Sequence, residues 1–253
     1  MGARMLIFLV YHKIQDRRDG DIYTVSPTSF LAQLSMLQQA ELPILDPRVL
    51  SGSRGHGQSG VVLTFDDGTT DHFQVVSPLL GELGIQALFY VATAKLNRHD
   101  YLTPEQVRQL WESGHTIGSH SHSHKRLDMV PWEQATQELD RSAMAIQKIV
   151  GQRPVHFAPP GGFYNRSMQE IAQRVGYSFC RTMDWGYNRL FDPLRIEIVP
   201  MTNALGAYFL RHALSGRLER TLKFAYHMKN GLRAFLPKAL YYKIRARTMH
   251  SHQ

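Results

Sequence analysis

The most constraining stretch of this sequence is residues 61–68 (VVLTFDDG), a short apolar run that ends in two adjacent carboxylates and a glycine. The run predicts a β-strand buried on both faces, and Gly68 permits a sharp turn directly after it. The α/β folds place their chemistry at such strand ends. Because adjacent strand residues point to opposite sides, we expect Asp66 and Asp67 to face different partners, one as a base and one as a metal ligand. A solvated turn is the alternative.

Strand and helix patterns alternate along most of the chain. Apolar runs predict strands near residues 5–10, 61–65, 87–91, 116–120, 155–158, 178–182 and 196–200. Start and stop signals predict helices near 26–39, 73–83, 103–114 and 131–150, and a further helix that Ser167 and Glu170 begin as a capping box. This alternation is typical of an α/β fold with a parallel sheet, and 253 residues suit a single domain of that kind.

Composition narrows the class of protein. A hydrophobic content of 43% with 20% charged residues is ordinary for a globular chain. The single cysteine, Cys180, excludes an intrachain disulfide and fits a reducing compartment. The apolar run at residues 5–10 is too short for a signal peptide, and no window approaches the roughly 18 to 20 apolar residues of a membrane span. We therefore expect a soluble or peripheral protein.

The net charge of +8 belongs to the last part of the chain. Residues 211–253 hold ten lysines and arginines against one acid, Glu219, whereas the rest of the chain is nearly neutral. Apolar residues recur there at three- and four-residue spacings, namely Leu214, Leu218, Leu222, Ala225, Met228, Leu232, Phe235 and Leu236. The pattern predicts a basic amphipathic helical tail at 211–253, lying on an anionic membrane or packed on the domain. Nucleic-acid binding is not expected, because no reading motif is present.

A second informative stretch, residues 118–124 (GSHSHSH), alternates three histidines with serines. In an extended strand all three would share a face, whereas in a helical turn only His120 and His124 would do so. Together with Asp67, these two histidines form a two-imidazole, one-carboxylate set that suits a divalent transition metal. Asp66 would then be the general base. A histidine-rich polar loop without a ligand is the alternative.

These two stretches resemble motifs of the polysaccharide deacetylases, carbohydrate esterase family 4. Residues 64–68 (TFDDG) resemble the first motif of the family, and residues 120–124, followed by Leu127, resemble the second. The resemblance covers about residues 12–200. It implies a distorted (β/α) barrel, with a catalytic domain at 1–210 that precedes the basic tail.

The same resemblance implies roles for individual residues. Asp66 corresponds to the catalytic base. Asp67, His120 and His124 correspond to the ligands of a divalent metal ion, with zinc expected first and cobalt, nickel or iron as the other candidates.

The third motif of the family departs from its usual form in this chain. Residues 157–162 read FAPPGG, so Ala158 stands where relatives usually carry an arginine that orients the base. Many exopolysaccharide N-deacetylases, including the poly-N-acetylglucosamine branch, are similar in this respect. By analogy with the family, the backbone N–H of Gly161 would face the negative charge that develops on the acyl oxygen. A structural Pro-Gly turn is compatible with that role.

Two further residues are candidates on the same resemblance. Arg181 lies close to the position where relatives usually carry the aspartate that pairs with the missing arginine. We therefore hypothesise that Arg181 supplies the displaced positive charge near Asp66. Trp185 resembles the tryptophan of the fourth motif, which walls the acetyl pocket, and a plain core tryptophan is the alternative.

The general acid is expected at the end of the first strand. Relatives often draw this acid from a late Leu-x-His, but the only such match here, ending in His212, lies in a stretch that reads as basic helix. Poly-N-acetylglucosamine deacetylases are similar to this chain in placing a histidine after a tyrosine near their N-terminus, which points to His12. A neutral core histidine is the alternative.

The sequence therefore predicts a metal-dependent hydrolase that removes the N-acetyl group from a sugar in a polysaccharide or a lipid-linked glycan. The alternatives are a deformylase of a lipid-linked amino sugar and a catalytically silent glycan-binding relative. We expect a cytoplasmic location, with peripheral contact between the basic tail and the anionic inner face of a membrane.

Overall fold

The computed structural model describes residues 5–16, 21–51, 58–162, 164–202 and 207–235. Within these ranges the strands are β1 (Leu6–Tyr11), β2 (Lys13–Ile14), β3 (Thr24–Val25), β4 (Gly60–Phe65), β5 (Leu88–Val91), β6 (Thr116–Ser119), β7 (His156–Phe157), β8 (Phe179–Trp185) and β9 (Ile196–Pro200). The α-helices are α1 (Pro27–Gln38), α2 (Ser77–Glu82), α3 (Pro104–Glu112), α4 (Trp132–Val150), α5 (Arg166–Val175), α6 (Ala207–Leu214) and α7 (Glu219–Phe235). The strands and helices alternate as the sequence predicts.

Seven parallel strands close into a barrel in the order β1-β4-β5-β6-β7-β8-β9, and β9 returns to pair with β1. This confirms the predicted (β/α) barrel. The barrel is distorted on one side, because β7 has two residues and meets β6 through a single residue pair. The ladder between β8 and β9 also shifts register between Arg181 and Trp185.

Strand β1 shows why the apolar runs build the core. All six of its residues are buried, so neither face of the strand meets solvent. Ile7 and Leu9 pack in the same apolar cluster as residues of α1, on the helix side of the sheet. The alternate residues Leu6 and Phe8 pack with apolar residues of β4, β8 and β9 across the barrel. A strand buried on both faces therefore needs the continuous apolar sequence that this chain provides.

Most helix boundaries follow the sequence signals. Thr103 caps α3 through a reciprocal capping box with Gln106. The predicted capping box at Ser167 is wrong, because the N-cap of α5 is Asn165, two residues earlier, whose side chain accepts the Met168 N–H at 2.8 Å. The helix predicted at 73–83 is irregular, since a π-helical segment, His72–Val76, runs into α2.

The described part of the basic tail packs against the barrel. Ala213 of α6 and Leu222 of α7 are buried in the main core. The boundary predicted at residue 210 falls inside α6. On the opposite face of α7, Phe224 is 68% exposed and Met228 is 51% exposed. The side chains of Leu232 and Phe235, and all of residues 236–253, lie outside the described residues. In the part of the chain that the structure describes, no helix has both the length and the hydropathy to cross a membrane.

Candidate metal centre

Three side chains converge just beyond the carboxyl ends of β4 and β6. One ligand atom from each of Asp67, His120 and His124 lies within 4.8 Å of the other two. The Nε2 atom of His124 is 2.7 Å from Oδ1 of Asp67, and Nε2 of His120 is 3.6 Å from the same oxygen. Parallel strands deliver these groups to one rim of the barrel, where the sequence predicts them.

Left-handed backbone conformations orient two of these ligand side chains toward the cluster. Asp67 has φ 77° and His124 has φ 60°, and such values are uncommon for residues with a side chain. The hydroxyl of Ser121 accepts the His124 N–H at 3.1 Å and fixes the turn that follows β6. His122 points elsewhere, with its Nδ1 2.9 Å from the hydroxyl of Thr93. The histidine stretch therefore brings together the first and third of its histidines, as the turn alternative requires.

The protonation states of the cluster suit a metal ion. Burial lowers the pKa of His120 to about 4, so its imidazole is neutral near pH 7. Its Nδ1–H donates to the carbonyl of Ala158 at 2.7 Å, which leaves the lone pair of Nε2 directed at the cluster. Burial alone would raise the pKa of Asp67, but the hydrogen bond with His124 and the attraction of the nearby imidazoles hold it well below its usual range. Two imidazoles and one carboxylate fit a divalent transition metal.

Asp66 faces a different partner. Its Oδ2 accepts a hydrogen bond from Nη2 of Arg181 at 2.5 Å, and both side chains are almost fully buried. The guanidinium lies 5.1 Å from the ring centre of Tyr90, and its Nη1 donates to the carbonyl of Thr182 at 3.3 Å. The other oxygen, Oδ1, is buried and has no hydrogen-bond partner among the described residues. That oxygen is therefore the one that can accept a proton from a water or substrate.

His12 also lies close to Asp66. It follows β1 directly, and its Nε2 lies 3.9 Å from Oδ2 of Asp66. The imidazole is 20% exposed and packs on the ring of Tyr23, with 4.8 Å between ring centres. The imidazole of His12 can thus reach both Asp66 and the solvent-accessible mouth of the site.

A clamp from the π-helical segment holds the backbone at His12, and our reading of the sequence missed it. Nε2 of His72 donates to the carbonyl of His12 at 2.6 Å, and Oδ2 of Asp71 accepts the Ile14 N–H at 2.6 Å. Both clamp residues are buried. The available signal was the polar run at residues 69–72, which directly follows the acidic motif and opens a predicted helix.

The remaining candidates lie in three other elements. Gly161, with φ 67°, lies in the turn Pro160–Gly162 that follows β7, at the same rim of the barrel. Trp185 ends β8, and its ring centre is 6.4 Å from that of Tyr226 on α7. His212 lies within α6, as its helical pattern predicts.

The family follows from a comparison with known proteins. The sequence profile named Polysaccharide deacetylase matches residues 53–180, about half of the chain, and includes Asp66, Asp67, His120 and His124. The chain belongs to the polysaccharide deacetylase family. Of the candidates, His12, Arg181 and Trp185 lie outside the matched segment, and the role of every candidate residue, inside or outside it, is a prediction.

Individual relatives agree with this family. The chain is 26% identical over 213 residues to the Bacillus subtilis protein YxkH, and the matched region covers 80% of this chain and 75% of YxkH. It is 27% identical over 157 residues to a peptidoglycan-N-acetylglucosamine deacetylase of Bacillus cereus, and the match covers 62% of this chain and 68% of that protein. The fold superposes on the Streptococcus pyogenes deacetylase PplD, solved in complex with acetate, with a TM-score of 0.76, 23% identity and coverage of 84% and 99%.

The surroundings of Asp66, the predicted base, differ from the motif that the sequence resembles. Ala158, at the usual position of the motif arginine, is buried; its N–H donates to the carbonyl of Ser119 at 2.9 Å, and its carbonyl accepts from His120. The positive charge beside Asp66 comes instead from Arg181 on β8, 115 residues away in sequence. The paired change that the sequence suggested therefore corresponds to a direct contact in the polysaccharide deacetylase barrel.

Proposed function

We propose that this protein is a metal-dependent hydrolase that removes the N-acetyl group from an amino sugar in a polysaccharide or a lipid-linked glycan. One observation carries the proposal: the two adjacent carboxylates have separate surroundings, with Asp67 against two histidines and Asp66 against an arginine. The family and the name of the Bacillus cereus relative support an N-deacetylase.

The residues divide the chemistry between them. A divalent ion held by Asp67, His120 and His124 would polarise the amide carbonyl and lower the pKa of a bound water. Asp66 takes the proton from the attacking water through its unpartnered Oδ1, while Arg181 compensates the buried charge at Oδ2.

Departure of the amine requires a second proton transfer. As the C–N bond of the amide breaks, His12 gives its proton to the leaving nitrogen, so that the products are acetate and a free amino sugar. Its partial exposure and its distance of 3.9 Å from Asp66 support this role. The backbone N–H of Gly161 would face the acyl oxygen as negative charge develops there. Trp185 would border the acyl group.

Deacetylation of defined substrates tests this proposal. The protein is stripped of metal and resupplied with zinc, cobalt, nickel or iron, and the products of N-acetylated oligosaccharides and lipid-linked sugars are identified by mass. We expect metal-restored release of acetate that is lost in Asp66→Asn. Faster release of formate from matched formyl substrates would instead identify a deformylase. Glycan binding with no hydrolysis would identify a catalytically silent relative.

The proposed function includes a location for the protein at a membrane surface. We infer peripheral contact with the anionic inner face of a membrane, because the solvent face of α7 combines Phe224 and Met228 with the exposed Arg220, and Arg217 is exposed in the turn that precedes the helix. Since Leu222 is buried in the core, removal of the whole tail would disturb the barrel. The sharper test is sedimentation with anionic liposomes of the double variant Phe224→Gln and Met228→Gln, for which we expect weaker binding. Equal binding would discard this contact.

A further inference from the structure

A cavity of about 420 Å³ lies between the barrel rim and helices α6 and α7, and we call it the tail cavity. Its walls are mainly apolar and include Tyr23, Met183, Trp185, Phe209, Leu218 and Leu222. Among the described residues that line it, none carries a charged side chain. Its volume falls within the range of about 300–1,000 Å³ that is usual for ligand pockets.

The tail cavity adjoins the candidate active site at two points. Tyr23, which forms part of its wall, packs on the imidazole of His12 with 4.8 Å between ring centres. Met183, another wall residue, has its sulfur 3.2 Å from Nη1 of Arg181, the residue that holds Asp66. One side chain, Tyr23, therefore separates the cavity from His12, and two, Met183 and Arg181, separate it from Asp66.

The lining is unsuited to a sugar ring. A saccharide hydroxyl that enters such a site loses its hydrogen bonds to water, and these apolar walls return few of them. An aliphatic chain gains free energy in the same place, because its burial removes apolar surface from water.

The solvent face of α7 supports a lipid as the carrier of this aliphatic chain. Phe224 and Met228 are exposed on the solvent face of α7, and Ile22, which lines the tail cavity, is itself 51% exposed. Arg217 and Arg220 are also exposed beside this apolar surface. An apolar cavity with an exposed apolar residue in its wall, next to a helix whose outer face carries apolar and basic side chains, suits an amphiphile that is held in an anionic bilayer.

We propose that the tail cavity binds an aliphatic chain carried on the aglycone side of the amino-sugar substrate. This inference rests on the proposed N-deacetylase function and makes the substrate a lipid-linked sugar. The sugar amide meets Asp66 and His12 while the chain lies between the barrel rim and α7.

Alkyl glycosides test the assignment. We would compare kcat/KM of the zinc-loaded protein for methyl and octyl glycosides of N-acetylglucosamine, both kept below their micelle concentrations. Each buried methylene should raise kcat/KM by up to about fourfold, so we expect an octyl-to-methyl ratio of at least about tenfold. A ratio near one in a protein that hydrolyses the methyl glycoside would overturn the inference and leave the proposed function intact.

Variants of α7 provide the matched comparison. Ala225 lines the tail cavity, and Ala225→Trp should fill it and bring the ratio close to one. Met228→Trp adds the same ring on the exposed face of the helix and should keep the ratio of the unmodified protein. If the larger residue prevents folding, Ala225→Leu is the second variant, with an intermediate ratio expected. An unchanged ratio in folded cavity variants would contradict the assignment.

Two further measurements separate the possible failures. A series of methyl glycosides with N-acetyl, N-butanoyl and N-octanoyl groups shows whether the chain enters from the amide instead, and a preference for the longest acyl group would overturn the aglycone assignment. If neither alkyl glycoside is hydrolysed, calorimetric binding of the two to Asp66→Asn still tests the cavity. Tighter binding of the octyl glycoside supports it, and equal binding rejects it.

Discussion

Replacement of Arg181 is the perturbation that most sharply probes the altered base environment. Nη2 of Arg181 contacts Oδ2 of Asp66 at 2.5 Å, and the side chains are 1% and 3% exposed. Arg181→Met retains much of the apolar volume and removes the charge. The carboxylate of Asp66 is then left buried without a compensating group.

The expected losses are large for both stability and turnover. Removing one partner of a buried ion pair costs about 3–5 kcal/mol in the free energy of unfolding. If the variant folds, a base released from its orienting contact should lower kcat by roughly 100-fold, the usual effect of a misplacement of about 1 Å. Arg181→Lys keeps the charge without the planar fork, and we expect a smaller loss of kcat.

Urea unfolding and steady-state deacetylation measure the two effects. The matched control is Arg195→Met, because Arg195 pairs with Asp184 at 2.9 Å but is 67% exposed, and such pairs contribute at most about 1 kcal/mol. The double variant Asp66→Asn and Arg181→Met removes both charges and should be more stable than Arg181→Met alone. A folded Arg181→Met protein with unchanged kcat would refute the positioning role of this arginine.

Three further predictions concern histidines. His12→Ala should lose most activity while it retains the metal, whereas His212→Ala should have a mild effect; kinetics with metal analysis distinguishes them, and the opposite pattern would reverse the assignment. His124→Ala removes one of three ligands and should weaken zinc binding by at least about 10-fold in a chelator competition; unchanged affinity would reject the site. Burial lowers the pKa of His156 to about 4, below the roughly 6.5 of an unfolded histidine. The contribution of the neutral His156 to the free energy of unfolding is therefore complete above about pH 6.5 and is lost as the pH falls toward 4. His156→Phe should reduce this pH dependence by up to about 1.4 kcal/mol per pH unit in urea titrations, and an unchanged slope would contradict it.

The sequence was most informative where local pattern and function coincide. The apolar run before Asp66 predicts β4 because a strand buried on both faces requires continuous hydrophobicity. The four-residue spacing of His120 and His124 predicts that they can meet, although their left-handed backbone geometry could not be read from residue types.

Contacts between distant segments were harder to predict. The pairing of Asp66 with Arg181 was suggested only because two family positions change together, and no local pattern contains it. The clamp of Asp71 and His72 on the backbone near His12 was missed, since its partners are main-chain atoms, which any residue supplies. Hydrogen bonds of this kind leave no signature in the sequence at the main-chain position, whether it donates its N–H or accepts at its carbonyl.

The tail illustrates a different limit. An amphipathic pattern predicts a helix with one apolar face but does not say what covers that face. In α7 the burial of Leu222 assigns one face to the barrel, while Phe224 remains exposed on the other. Packing on the barrel therefore applies to one side of this helix, and membrane contact of the other side is a proposal.

The central claim is that Asp67 holds the metal and Asp66 acts as the base, and the most direct measurement is acetate release by zinc-loaded Asp66→Asn. We predict that this variant binds zinc as the unmodified protein does, because its ligand set is intact, and releases acetate at least about 100-fold more slowly, because the base is absent. Deacetylation at the unmodified rate by the folded, zinc-loaded variant would contradict the claim.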